Sequence, residues 1–181
     1  LTFSGQFPVM LQQLDHPPSV DERLSFDDRN LALLKTFSTP DYFHREIDSE
    51  LEGLKVEIQG LNSKLNLIQE LLTQLLMKHE TLPSSSLIKL GISKLIIVNK
   101  NEWEVFADDN VVADLYLFED LPRPLTVFGK VKSLSILEDF RHSAEINLDP
   151  LSEGVDSLLG RFIFRQHRRE VAMKRAQIVD P

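Results

Sequence analysis

Residues 82–98 read LPSSSLIKLGISKLIIV, and the character of the chain changes within them. Pro83 and the serines after it stop whatever periodicity precedes them. Apolar and β-branched residues then fill 87–98, a run of strand character that bears a glycine at Gly91. Three more such runs follow: VVADLYLF at 111–118, LTVFGKVKSLSIL at 125–137 and AEINL at 144–148. Turn-forming segments rich in Asn, Asp and Pro separate them. Four to six strands in about sixty-five residues predict a small antiparallel barrel. From Ser152 the period returns to that of a helix, through SEGVDSLLGRFIFRQHRREVAMKRA.

Upstream of Pro83 the spacing is different. With Leu51 as position a of a heptad, Leu51, Ile58, Leu65, Leu72 and His79 fall at a, and Ile47, Leu54, Leu61, Ile68 and Leu75 at d. The alternation of three and four holds without a break, and His79 is the single residue of the set that is not Leu or Ile. Thr39-Pro40-Asp41 supplies a helix start, and no proline intervenes before Pro83. About forty residues at 1.5 Å each would make a helix roughly 60 Å long, too long for one small domain to bury. The stretch is therefore expected to meet other copies of itself in a coiled coil.

The flanks refine the expectation. Glu50 at g and Lys55 at the next e have the spacing of a parallel interchain pair, whereas Leu71 at g and Leu76 at e widen the apolar face. Leu and Ile are also mixed at both a and d, unlike the two-strand preference. A homotetramer is the first expectation, ahead of a trimer or dimer.

The remaining divisions are an irregular N-terminal arm at 1–23, carrying Pro8, Pro17 and Pro18, and a short helix at 24–39 opened by Ser25 as N-cap. The long helix then occupies 40–81, and the barrel with its closing helix 82–178.

Composition limits the function. The 181 residues carry a formal net charge of −8, which disfavours nucleic acid and anionic membrane as partners. There is no cysteine, so disulfides, thiolate metal sites and thiol nucleophiles are absent. No apolar run is long enough to span a membrane, and the first residues lack the order of a signal peptide; the expected location is cytoplasmic.

The order of elements from 84 to 176 resembles a PilZ domain, the bacterial module best known for binding cyclic di-GMP. The resemblance rests on the glycine-bearing LIKLGISKLII, on ADLYLFEDLPRPLTVFGKVKSL with its proline turn and glycine, and on INLDPLSEGVDSLLGRFIFRQHRR. It implies an α+β fold, with a six-stranded antiparallel barrel and a C-terminal helix that plugs it. Ligand-binding members carry an RxxxR motif before the first strand and a [D/N]xSxxG motif on it. Guanidinium forks hold phosphate there, and the acid and hydroxyl fix the base and backbone.

The second motif aligns on Ser86, Ile88 and Gly91, and only the glycine matches. Upstream the sequence is MKHETLPSSS, and no arginine stands between Arg45 and Arg123. Two missing arginines, each worth roughly 1.5–3 kcal/mol, would erase micromolar affinity. Cyclic di-GMP is therefore not expected to bind in the usual way.

Arginines do occur in that spacing at Arg161, Arg165 and Arg169, with Arg168 beside them, but on the predicted C-terminal helix, where the spacing repeats one face. They form a basic face opposite Leu158, Leu159, Phe162 and Ile163, which is solvated or offers a dock for an acidic protein partner. NEWEVFADDN at 101–110 lacks the glycine and closing glutamate of a calcium loop and reads as a charged turn, with Trp103 at the barrel mouth. The histidines are scattered, and no phosphate loop or nucleophile elbow is present. No cofactor, metal or catalytic residue is expected. The sequence reads as a non-enzymatic adaptor that assembles with itself and acts through protein contacts in pilus, motility or virulence processes.

Overall fold

The computed structural model describes residues 1–38, 58, 60–65, 67–68, 71–72, 82–100, 103–118, 121 and 123–179. Its centre is a closed barrel of six antiparallel strands in the order β1-β2-β3-β6-β5-β4. These are β1 (Phe3–Leu14), β2 (Ser85–Leu90), β3 (Lys94–Asn99), β4 (Asn110–Leu115), β5 (Leu125–Ile136) and β6 (His142–Leu148). Two helices complete it, α1 (Val20–Ser38) and the C-terminal α2 (Glu153–Val179).

The N-terminal arm expected to be irregular is instead the strand that closes the barrel. Phe3–Pro8 pair with β2, and Val9–Leu14 pair with β4. The sequence FSGQFPVML does alternate, with Phe3 and Val9 buried and Phe7 and Leu11 packed against the core. Gly5 and Pro8 disguise the alternation, because both weaken an ordinary central strand. Pro8 is tolerated because it sits where β1 changes partner: it contributes a carbonyl to Tyr116 N–H at 3.1 Å, and Val9 N–H turns to Ser84.

The first helix also starts earlier than Ser25 suggests. Ser19 caps it, its Oγ accepting from Glu22 N–H, while the Glu22 carboxylate accepts from Ser19 N–H at 2.8 Å. This reciprocal pair is a capping box. The hydrogen bonds from the Ser19 backbone and then its hydroxyl hold the Glu22 carboxyl below its ordinary value.

Inward-facing residues alternate along every strand. Ile88, Leu90, Leu95, Ile97, Leu115, Leu125 and Ile146 are fully buried. α2 packs over the barrel through Val155, Leu159, Phe162 and Ile163, and the Phe162 ring meets those of Phe3 and Phe118 edge-on at 5.4 Å each. Leu33 and Leu34 of α1 belong to the same core, so α1 is part of the barrel domain and not a linker. Gly154 lies where α2 meets α1: a Cβ there would meet Leu31 Cδ1 at 3.2 Å.

The barrel domain expected at 82–178 is thus completed by residues from 1–38. The long helix expected at 40–81 falls mostly outside the described residues. Those of its positions that are described, 58, 60–65, 67–68 and 71–72, are helical.

Candidate functional site

Ser86 and Ile88, the residues aligned with the ligand motif, lie on β2 with Gly91 just after it, and the register decides their exposure. Side chains at 86, 88 and 90 turn into the barrel, so Ser86 is 3% exposed and Ile88 not at all. Opposite them stand Phe7 and Gly5 of β1. The Ser86 hydroxyl is buried with no hydrogen-bond partner among the described residues. Gly91 closes the β2–β3 turn, its N–H donating to Lys94 C=O at 2.8 Å. A Cβ on Gly91 would press on Thr2 Cγ2 at 3.1 Å and the Leu1 carbonyl at 3.3 Å. The one glycine that matches the motif is therefore explained by the packing of the two residues that lead into β1.

The apolar helical stretch presents the opposite situation. Within one protomer Leu61, Leu65, Ile68, Leu71 and Leu72 expose between 51% and 60% of their surface. Ile58 is half-buried. The other seam and flank positions, Ile47, Glu50, Leu51, Leu54, Lys55, Leu75 and Leu76, lie outside the described residues, as does His79. Leu67, away from the seam, is also more than half exposed.

On α2 the basic face is solvent-facing, as its spacing suggests. Arg161, Arg165, Arg168 and Arg169 are exposed, while Leu159, Phe162 and Ile163 are buried and Leu158 is half-buried. The Arg168 guanidinium lies 5.8 Å above the Phe164 ring. His167 Nδ1 stands 3.1 Å from the Thr2 carbonyl and ties the helix to the residue before the first strand.

Three polar contacts escaped the sequence reading. The buried Asn30 carboxamide accepts from Thr126 N–H at 3.0 Å and donates to Thr126 C=O at 2.7 Å. It stands in for a neighbouring strand, since β6 reaches β5 only from Gly129 onward. Arg23 Nη2 donates to Asp149 Oδ2 at 2.6 Å, and Ser152 N–H donates to Asp27 at the start of α2. The apolar period of α1 points to its buried face but is silent on which polar side chain along it meets a strand edge.

The charged segment at 103–109 is a turn: Asp109 Oδ2 accepts from Phe106 N–H at 2.7 Å, and Asp108 has a left-handed φ of 72°. Trp103 packs against the core. On the outer surface Lys132 and Lys94 both donate to Glu145 Oε1, at 2.6 and 2.9 Å. Those bonds, Lys132 first, hold the Glu145 carboxyl below its ordinary value. Among the described residues no group of three or more metal-ligating side chains converges, and no helix is long and apolar enough to cross a membrane.

No family model matches the sequence, and no curated protein does. Among solved structures, the chain is similar to a pathogenic protein from Xanthomonas campestris, described as a new tetrameric PilZ domain self-assembled via an unusual helical bundle. The two share 20% identity and a TM-score of 0.75 over 95% of this chain and 91% of the other. At that identity the likeness is one of fold, and it agrees with the closed barrel, its strand order and the helix packed upon it. The chain has the fold of a PilZ domain.

Proposed function

We propose that the protein is a non-enzymatic adaptor: a PilZ-fold barrel without the cyclic di-GMP motifs, assembled through a parallel coiled coil of its 40–81 helix. A tetramer is favoured over a trimer or dimer. The observation that carries the reading is the fate of the ligand motif, whose Ser86 and Ile88 side chains are inside the barrel against β1. Side chains in that position have no access to a dianionic nucleotide, and the sequence offers no arginine pair upstream to replace them. The apolar helix positions exposed in one protomer support self-assembly, and so does the tetrameric helical bundle of the Xanthomonas protein.

Several copies of one barrel held together raise avidity for a partner without strong single contacts. The partner is a protein, and the basic face of Arg161, Arg165, Arg168 and Arg169 is one docking surface for its acidic groups. The setting is the bacterial cytoplasm, in type IV pilus, motility or virulence processes.

Two measurements test this. Calorimetric titration with cyclic di-GMP at high protein concentration is expected to be silent; micromolar binding would instead make the protein a receptor that uses other residues. Light scattering is expected to give a mass of four chains. Carrying Asp in place of Leu65 and Leu72, the protein should fall to the mass of one chain with its barrel circular dichroism retained. An unchanged mass would refute assembly through the seam.

A further inference from the structure

β5 and β6 run on beyond the barrel wall as a hairpin, and one edge of that hairpin is open. Leu137 N–H donates to Arg141 C=O at 2.8 Å, so 137 and 141 stand at a hydrogen-bonding position of the ladder where it meets the turn. Such positions alternate along an antiparallel ladder, so Ser135 with Ser143 and Ser133 with Glu145 are bonded likewise. Leu134 and Ile136 must therefore turn their N–H and C=O groups away from β6. Among the described residues no strand stands on that side: β4 begins at Asn110, opposite Lys130. The preceding loop makes its last bonds to β5 at Val131, through Asp108 N–H at 2.8 Å and Asp109 C=O at 2.9 Å. Among the described residues, no backbone group reaches Leu134 or Ile136 from the open side.

Beside this edge lies a groove of about 310 Å³, lined chiefly by Trp103 and Phe106 of the loop, Leu134 and Ile136 of the edge, and His142. Phe106 and Ile136 are 73% and 67% exposed. The Trp103 indole nitrogen is buried with no acceptor among the described residues. Strand edges are ordinarily blunted by charge or proline, and the run Ser133-Leu-Ser-Ile136 has neither.

The charges near the groove select an occupant. Glu104, Asp108, Asp109, Glu138, Asp139 and Glu145 outnumber Lys130, Lys132 and Arg141, and those three cations are already paired with Asp108, Glu145 and Asp139. A second copy pairing through the same edge would bring two acidic rims together.

We propose that the open edge of β5 and the Trp103–Phe106 groove bind an extended segment of a partner protein, adding it as a strand. The segment alternates apolar side chains with Lys or Arg. Backbone pairing to Leu134 and Ile136 supplies affinity, the groove takes alternate apolar side chains, and the acidic rim selects the basic flanks.

Trp103 is the only tryptophan, so its fluorescence reports on the groove. The probe is the capped peptide Lys-Val-Lys-Phe-Lys-Val-Lys, titrated into the full chain. The expected result is a saturable spectral shift that weakens as salt is raised, with the Glu-for-Lys peptide at least about tenfold weaker. Of the two complementary forms of the peptide, N-methylated on alternate amides, one should lose binding and the other keep it. Ile136→Pro, which removes one edge donor, should weaken binding by about tenfold while the melting temperature holds, since proline is accepted at a strand edge. Should that variant fail to fold, the methylated peptides on the unaltered protein decide the matter. The proposal is overturned by no saturable change up to millimolar peptide, by equal binding of the acidic peptide, or by equal binding of both methylated forms. It is likewise overturned if Ile136→Pro lowers the scattering mass of the free protein, because the edge would then be taken by a second copy.

Discussion

Replacing Asn30 by alanine tests how α1 is joined to the barrel. Its carboxamide is 2% exposed and bonds both the N–H and the C=O of Thr126, itself 6% exposed. Truncation leaves both Thr126 groups without partners, at about 1–3 kcal/mol for each buried group. Allowing for some entry of water into the gap, the loss should be about 3 kcal/mol, or about 6–12 °C in Tm for a chain of this size. Asn30→Asp keeps the acceptor for Thr126 N–H but sets a carboxylate oxygen against Thr126 C=O. Only the protonated acid can donate there, so its folded pKa should be raised. Its deficit should then be smallest below the usual Asp range, near pH 4, and grow as pH rises through it. The assay is urea and thermal unfolding at one fixed protomer concentration, because an assembling chain has a concentration-dependent Tm. A loss for Asn30→Ala below about 0.5 kcal/mol, the size of a neutral surface change, would refute the reasoning.

Four further outcomes follow from the same geometry. A Cβ at Gly129 would stand 2.4 Å from Asn147 O, a backbone atom of β6, so Gly129→Ala should destabilise by about 1–3 kcal/mol, read as a lowered urea midpoint. Deleting residues 1–14 removes the strand between β2 and β4, and the product should lose the cooperative unfolding transition; a cooperative transition retained would show that the barrel closes without β1. The Glu145 carboxyl is held below its ordinary value of 4.5 by Lys132 and Lys94, so its contribution is complete above that value and lost as pH falls through the folded one. Glu145→Gln should therefore unfold earlier than the natural chain at neutral pH and alike at acid pH. Asp at Leu65 and Leu72 should lower the mass in solution without altering the unfolding midpoint of the barrel at high dilution.

The parts of the fold that the sequence reveals are those in which period and burial agree. The runs 111–118, 125–137 and 144–148 each fall on one strand of the barrel, whereas the single glycine-bearing run 87–98 divides into β2 and β3, paired across a turn that begins at Gly91. The buried stripe of α2 at Leu159, Phe162 and Ile163 is equally plain. β1 is harder to see, because Gly5 and Pro8 interrupt it and because its partners lie more than seventy residues away, where no local pattern announces them. Ser25 is the expected cap, and the signal that points instead to Ser19 is the glutamate three residues after it, at 22, which answers it. The candidate site divides in the same way. Absence of the arginine pair is visible in the letters, whereas the burial of Ser86 and Ile88 depends on a register set by β1. The open edge of β5 follows from where β4 begins, a property of the barrel and not of the run that carries it.

The position of β1 in the chain has a consequence for synthesis. Its hydrogen-bonding partners begin at Ser85 and Asn110. At roughly 5–20 residues per second, a ribosome needs several seconds to deliver them after β1 has emerged. Throughout that interval Phe3, Phe7 and Val9 are on a nascent chain with nothing to cover them. Under the assembly proposed above, residues 40–81 leave the ribosome before β2 and β4 and can meet their counterparts on other chains before any barrel has closed. In that assembly subunit association and barrel closure compete in time, and the rate of translation through residues 82–115 sets the order in which they finish.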